Sequence, residues 1–249
     1  MMYEEIIKKL KSLANPKNVA GMARFGIKPS SKILGISIWE LRKLKKEIGT
    51  DSTTAKDSPF DESSADKSAD RHKLAKKLWS SGIHEARILA SFIEDPLKVT
   101  EKQLDRWVKD FDSWDIVDQV AELIAHTPYV IKKIKEWSRR DEEFIKSSAF
   151  SLIAELAWWE KKLTDRDFEQ LFPIIKKAAT DERNYVKKAV NWALRNIGKR
   201  NKTLNKKAIK LAKELKMIDS KSARWIAADA IRELTSEKVQ KRLLIRSAK

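Results

Sequence analysis

The side chains best placed for chemistry are aromatic and acidic residues on helix faces that the helices themselves do not need for packing. In WDIVDQVAELIA, beginning at Trp114, the residues Ile116, Val117, Val120, Leu123 and Ile124 form one apolar stripe at roughly 100° per residue. Trp114 and Asp118 fall on the opposite side, with Ala121 and Ala125 beside them. Asp112 fits the N-cap position and Asp115 the third helical position, so Asp118 is not needed to start the helix. An indole and a carboxylate one turn apart among small residues describe a shallow polar groove. In YVKKAVNWALRNIG, beginning at Tyr185, the core stripe is Val186, Val190, Ala193, Leu194 and Ile197. Trp192 lies away from it, beside Tyr185, Lys188 and Arg195. An aromatic ring inside a basic patch suits phosphate contact together with packing on a sugar or base. The competing reading is that helices of a layered fold are buried on two sides, so that these Trp fill a second packed face.

Other constellations are missing. His72, His84 and His126 share no metal-ligand spacing and read as surface or groove residues, and there is no HExxH, Walker A loop, GxGxxG or GxSxG. Asp112, Asp115 and Asp118 could suggest a cation, but two of them serve better as caps, so no metal and no cofactor are expected.

The elements that must carry these faces are helices throughout. An amphipathic segment over residues 1–15 places Ile6, Ile7, Leu10 and Leu13 on one side. Ser37 is an N-cap for a helix to Ile48, with Ile38, Leu41, Leu44 and Ile48 as its stripe and Glu40 closing a capping box. Residues 50–70, TDSTTAKDSPFDESSADKSAD, hold one large apolar residue, Phe60, and read as a flexible linker or insertion. Beyond it, helices begin near His84, Trp114, Phe144, Tyr185 and Trp225, at steps of 30, 30, 41 and 40 residues, each separated from the next by one further helix. Helix pairs at such a period mark a HEAT-like solenoid, whose stacked pairs share one core and present one helix each to a concave surface. The sequence is thus read as one domain over 1–249, with N-terminal helices over 1–49, an insertion at 50–70 and the main repeats over 71–249.

Composition agrees. The 249 residues are 42% hydrophobic, with 6 Gly and 6 Pro, too few for a turn-rich β architecture. Nine Trp is a high number whose placement needs an account. With no cysteine, neither a disulfide framework nor a Cys-ligated zinc is possible, and a reducing compartment such as the cytoplasm suits the chain. The N-terminus lacks the apolar core of a signal peptide, and no window is apolar enough to span a membrane. The net charge of +17 asks for an anionic partner, with nucleic acid first and anionic lipid second, unless the chain is simply a Lys-rich soluble protein. Residues 199–216, KRNKTLNKKAIKLAKELK, add a basic strip that is either a solvated helix face or a track along a phosphate backbone.

Several segments together carry a family resemblance. NVAGMARFGI (18–27), SGIHEARILA (81–90), DRWVKDFDSWDIVDQV (105–120), RRDEEFIKSSAF (139–150) and DERNYVKKAVNWALRNIGKRN (181–201) resemble the DNA alkylation repair family. SWDIVD and VKKAVNWALR are the more specific of these. The resemblance implies an all-helical HEAT-like repeat fold with a concave, basic DNA-binding face. It also implies hydrolysis of the N-glycosidic bond of cationic N3- or N7-alkylated purines in duplex DNA, without flipping the base into a pocket.

In that family a Trp, an Asp, an Arg and a second Trp line the groove. By motif they fall on Trp114, Asp118, Ser147 and Trp192, so the Arg is replaced: this chain has KSSAF where the family pattern is KRAAF. Asp118 would stabilise oxocarbenium character on the sugar, and the two indoles would offer electron-rich faces to it. An Arg would hold phosphate rather than take part in bond chemistry. Lys188, Arg195, Tyr185, Lys199, Arg200 and Ser147 are the expected DNA contacts. The resemblance thus points to a monomeric glycosylase acting on alkylated duplex DNA, cytoplasmic and nucleoid-associated. Two other readings stand beside it. One is a catalytically weak relative that recognises distorted or branched DNA by shape, and the other is a scaffold for an acidic protein partner.

Overall fold

The structure, a computed structural model, describes residues 1–49, 62–160 and 162–247. Apart from an isolated bridge between Lys32 and Ile83, regular structure among the described residues is helical. Packing groups the chain into two compact units, Met1–Thr127 and Pro128–Lys249.

The first unit contains α1 (Tyr3–Ser12), α2 (Pro16–Arg24), α3 (Ile38–Glu47), α4 (Glu62–Trp79), α5 (His84–Ile93), α6 (Glu101–Trp107) with a 3-10 turn over Val108–Asp110, and α7 (Trp114–Ala125). α5 is its centre and packs against α3, α4 and α7. Glu85 of α5 is fully buried and accepts hydrogen bonds from the backbone N–H of Leu34 (2.9 Å), Gly35 (2.6 Å) and Ile36 (3.3 Å). Three backbone donors satisfy the buried carboxylate and pin the segment before α3 to the core. Gly35 has φ +79°, and a Cβ there would lie 2.3 Å from the Asn15 carbonyl oxygen, so only glycine fits. Ser37 caps α3 by accepting from the Glu40 N–H at 3.2 Å, but the Glu40 carboxylate accepts from Lys43 instead of closing a capping box.

Residues 50–61 of the expected linker lie outside the described residues. Residues 62–70 do not form a loop: they begin α4, where the Ser68 hydroxyl donates to Asp95. The segment has no apolar stripe to announce a helix, yet Ala, Asp, Lys and Ser can extend one that is already fixed by the apolar turns over Ala75, Leu78 and Trp79.

The second unit contains α8 (Val130–Trp137), α9 (Glu143–Trp159), α10 (Asp165–Glu169), α11 (Phe172–Ala178), α12 (Asn184–Gly198), α13 (Lys202–Lys216), α14 (Lys221–Leu234) and α15 (Glu237–Ser247). α9, α12 and α14 lie side by side in one layer, while α8, α10, α11 and α13 form the other. The three helices of the first layer run in the same direction, and side chains from neighbouring repeats cap their ends. Glu143 accepts from the Tyr185 N–H at the start of α12 (2.9 Å), and Glu182 accepts from the Ser222 N–H at the start of α14 (3.0 Å). At the other ends, Arg200 donates to the Ala157 carbonyl of α9 (2.9 Å) and Arg246 to the Lys199 carbonyl after α12 (3.0 Å). Carboxylates thus meet helix N-termini and guanidinium groups meet C-termini, the arrangement that aligned helix dipoles favour. Gly198 lets α12 and α14 approach closely, since a Cβ there would lie 2.7 Å from both methyl carbons of the buried Leu234.

The nine Trp sort cleanly. Trp79, Trp107 and Trp137 are core, and Trp79 and Trp107 stack at 4.0 Å with the Trp79 indole donating to Asp110. Trp114 and Trp192 are half-buried, while Trp39, Trp158, Trp159 and Trp225 are exposed. Among the described residues no helix is long and apolar enough to cross a membrane.

Candidate nucleic-acid interface

In the first unit the candidate residues stand on α7. Trp114 is held by its indole N–H, which donates to the Phe25 carbonyl at 3.0 Å; Asp118, one turn on, is half-buried. Phe25 is itself exposed, an aromatic neighbour of Trp114 that the sequence did not single out. Ala121 and Ala125, expected beside the groove, are buried.

The start of α7 is built differently from the expectation. Ser113, not Asp112, occupies the N-cap position and makes no side-chain cap bond. Asp112 instead accepts from the backbone N–H and the hydroxyl of Ser30, both at 2.8 Å, tying α7 to the segment before α3. Asp115 faces inward, accepting from the Ser113 hydroxyl (2.6 Å) and pairing with Nε2 of His84 (2.8 Å). His84, expected at the surface or in a groove, is therefore completely buried as the partner of a carboxylate. Burial alone would raise the Asp115 carboxyl, but the hydrogen bond and charge of His84, with the Ser113 hydroxyl, outweigh it and leave the group below its ordinary value. Among the described residues no three His, Asp or Glu side chains could hold a metal together.

In the second unit, Ser147 of α9 is 3% exposed and its hydroxyl donates to the Phe144 carbonyl at 3.1 Å. Ser151 and Ala154, one and two turns further along α9, are buried too. Lys146 is engaged elsewhere, 2.9 Å from Asp181, which also binds Arg183. The Arg183 hydrogen bond, with Lys146 behind it, holds the Asp181 carboxyl well below the carboxylate range despite its partial burial. The position where the resemblance implies an Arg is thus occupied by a buried, uncharged side chain.

α12 carries most of the other expected residues, and the structure divides them. Lys188 is exposed and Trp192 half-buried. Tyr185 packs its ring 5.1 Å from Phe144. Arg195 lies 2.5 Å from Glu233 and 3.4 Å from Asp229, both on α14, and Lys199 lies 3.0 Å from Glu233. Burial works against ionisation of Glu233, but the two cations prevail and its carboxyl titrates below the ordinary value. Arg200 caps α9 and lies over the Phe168 ring at 4.3 Å, and burial lowers its pKa. Arg195, Lys199 and Arg200, read from sequence as phosphate contacts, also join neighbouring repeats. The basic strip also divides: Lys202, Lys206, Lys210 and Lys213 are exposed on α13, in the other layer from α12 and α14.

α14 completes the face that α12 begins. It starts at Lys221, capped by Ser220, four residues before the start expected from Trp225. This places Lys221, Arg224, Trp225 and Arg232 among its exposed residues, with Lys187 of α12 over the Trp225 ring at 5.3 Å. Together with Lys188 and Trp192 they give the exposed side of α12 and α14 both cations and indoles. The sequence carried this signal in the phase of Lys221, Arg224, Ala228 and Arg232, but taking Trp225 as the start of the helix concealed it.

Comparison with known proteins is consistent with this architecture. The profile of a family described as DNA alkylation repair enzyme matches residues 6–234. The uncharacterized protein Lin0241 of Listeria innocua is 21% identical over 215 residues, 86% of each chain. Among solved structures, one protein is described as belonging to a new family related to the HEAT-like repeat DNA glycosylases with affinity for branched DNA structures. It superposes with a TM-score of 0.76 at 18% identity, covering 98% of this chain and 96% of its own. The smu.31 protein of Streptococcus mutans superposes with a TM-score of 0.53 at 18% identity, covering 80% of this chain and 92% of its own. The fold is therefore HEAT-like, as the helix pairing suggested.

Proposed function

Since the chain belongs to the DNA alkylation repair enzyme family, we propose that it acts as a monomer that binds duplex DNA along the exposed side of α12 and α14 and recognises branched or distorted helices by their shape. The observation that carries this reading is the juxtaposition of Lys188, Lys221, Arg224 and Arg232 with Trp192 and Trp225. Lysine and arginine neutralise phosphates without reading sequence, and an indole packs on sugar or on a base step opened by distortion. Ser147 bears on what happens after binding. The family pattern has an arginine there to fix the phosphate beside the lesion, and here a buried serine makes only a local hydrogen bond. Without that clamp the sugar is poorly positioned for bond cleavage, while binding through the α12–α14 face is untouched. The affinity for branched DNA described for the structural relative agrees with this division.

A second reading, excision of cationic alkylated purines, is favoured by Asp118. It is a half-buried carboxylate one turn from Trp114, and a carboxylate there could stabilise positive charge developing on a sugar. One pair of assays separates the two readings. Binding to a four-way junction and to a linear duplex of the same sequence is compared over a range of salt, and duplex containing 7-methylguanine is incubated with the protein to detect released base. The shape reading expects junction preference with no base release above the spontaneous rate. Base release that depends on Asp118 overturns it in favour of excision.

A further inference from the structure

Three of the four exposed tryptophans, Trp39, Trp158 and Trp159, lie outside the face just described, and the last two are neighbours. Trp158 and Trp159 end α9 with 56% and 55% of their surface open to solvent. Their rings meet edge to face, 6.2 Å apart at 75°. Arg242 of α15 holds its guanidinium over the Trp158 ring at 5.8 Å. Directly beneath, Arg200 donates to the carbonyls of Leu156 and Ala157, the two residues before the indoles, and Arg246 donates to the Lys199 and Arg200 carbonyls. The tip of α9 therefore presents two large aromatic surfaces with the Arg242 guanidinium over one of them, while Arg200 and Arg246 hold the backbone at its base. Two adjacent indoles left in water are an unfavourable arrangement for a soluble protein unless something covers them.

The charge decides what that is. Planar aromatic faces beside a guanidinium group match a planar base joined to a phosphate. Any base can stack, because every base has a π-face, and the Arg242 guanidinium takes the phosphate charge. Bases inside a duplex already stack on each other and leave no face for an indole, so the occupant must be unpaired. We propose that Trp158, Trp159 and Arg242 form a stacking platform for unpaired nucleotides, such as the single-stranded arm of a branched DNA. This deepens the DNA-binding reading and rests on it. The α12–α14 face would hold paired DNA, and the tip of α9 would hold the strand that leaves the duplex.

The test uses the full chain and three fluorescein-labelled probes: a blunt duplex, the same duplex with a single-stranded oligothymidine arm, and free oligothymidine. Anisotropy titrations give the affinities. The wild type should bind the armed duplex tighter than the blunt one. The double substitution Trp158→Ala, Trp159→Ala should weaken armed-duplex and oligothymidine binding by about tenfold, some 1.4 kcal/mol, and leave blunt-duplex binding within about twofold. Both indoles are exposed, so the helical circular dichroism should persist. The double substitution Trp158→Phe, Trp159→Phe retains aromatic faces and should recover most of the arm preference. Equal wild-type affinity for armed and blunt duplex, or an alanine variant that keeps the preference, overturns the platform, and a surface used by a protein partner would give that outcome. Failure of the wild type to bind even blunt duplex would overturn the DNA-binding reading itself, and the platform with it.

Discussion

Lys188 and Arg195 lie two turns apart on the same side of α12, and from sequence they are equivalent cations. The structure makes them opposites: Lys188 is exposed, with no ion pair among the described residues, whereas Arg195 is held by Glu233 and Asp229 of α14. Replacing each with Met keeps the aliphatic stem and removes only the charge. Lys188→Met should not change stability, because nothing in the fold leans on its ammonium group. If that group meets one phosphate, its loss reduces the slope of log K against log salt by about 0.9. Between 50 and 200 mM salt this amounts to a factor of roughly 3.5 in how far affinity falls. Arg195→Met breaks a partly buried charge-assisted pair and should cost about 1–2 kcal/mol, discounted from the fully buried value for its exposure to solvent. The melting temperature should fall by roughly 2–4 °C per kcal/mol, with the salt slope unchanged. Thermal melting by circular dichroism and anisotropy titrations at four salt concentrations read both quantities. A flattened slope with an unmoved melting temperature for Arg195→Met would mean that the α12–α14 ion pairs open on DNA, and the division made here between fold-holding and DNA-holding cations would fail.

Three further outcomes follow. Gly198→Ala should destabilise the second unit by about 1–3 kcal/mol, seen in chemical denaturation, because the added methyl would lie 2.7 Å from the methyl carbons of Leu234, which must shift within a packed core. The folded Asp115 carboxyl lies below its unfolded value near ~3.9, so its contribution is complete above that pH and is lost as pH falls through the folded value. Asp115→Asn should therefore lower the melting temperature near neutrality, with a loss of about 1–3 kcal/mol from the broken buried pair, and should flatten the acid limb below about pH 4. Asp118→Asn should leave junction affinity level or higher, since a negative charge near phosphates has gone; a drop of about tenfold or more in affinity would show that the carboxylate organises the binding surface instead.

The helical run and its layering were legible because they depend on local signals. The 3.6-residue periodicity of α5, α7, α9 and α12, and the cap at Ser37, lie within a few positions of the residues they organise. The family resemblance was legible for the same reason, as its motifs are contiguous. What escaped depends on stacking between distant segments. Asp112 meets Ser30 across 82 residues, Glu85 meets Leu34 across 51, and Arg195 meets Glu233 across 38. A sequence shows that each is charged but not that a partner waits for it. His84 looked like a surface residue because a histidine at a helix start usually is one, and its burial follows from Asp115, 31 residues away. The departure at Ser147 was visible as a change of residue type, while its burial was not.

The central claim is that this protein binds DNA by shape through cations and indoles on α12 and α14. It is tested most directly by competing a fully paired four-way junction against a linear duplex of the same sequence at ~150 mM salt. The account predicts a preference of at least about tenfold for the junction. Replacing Lys188, Lys221 and Trp192 together should sharply weaken binding and reduce its salt dependence. Equal affinity for the two DNAs, or a junction preference that survives the triple substitution, would contradict it.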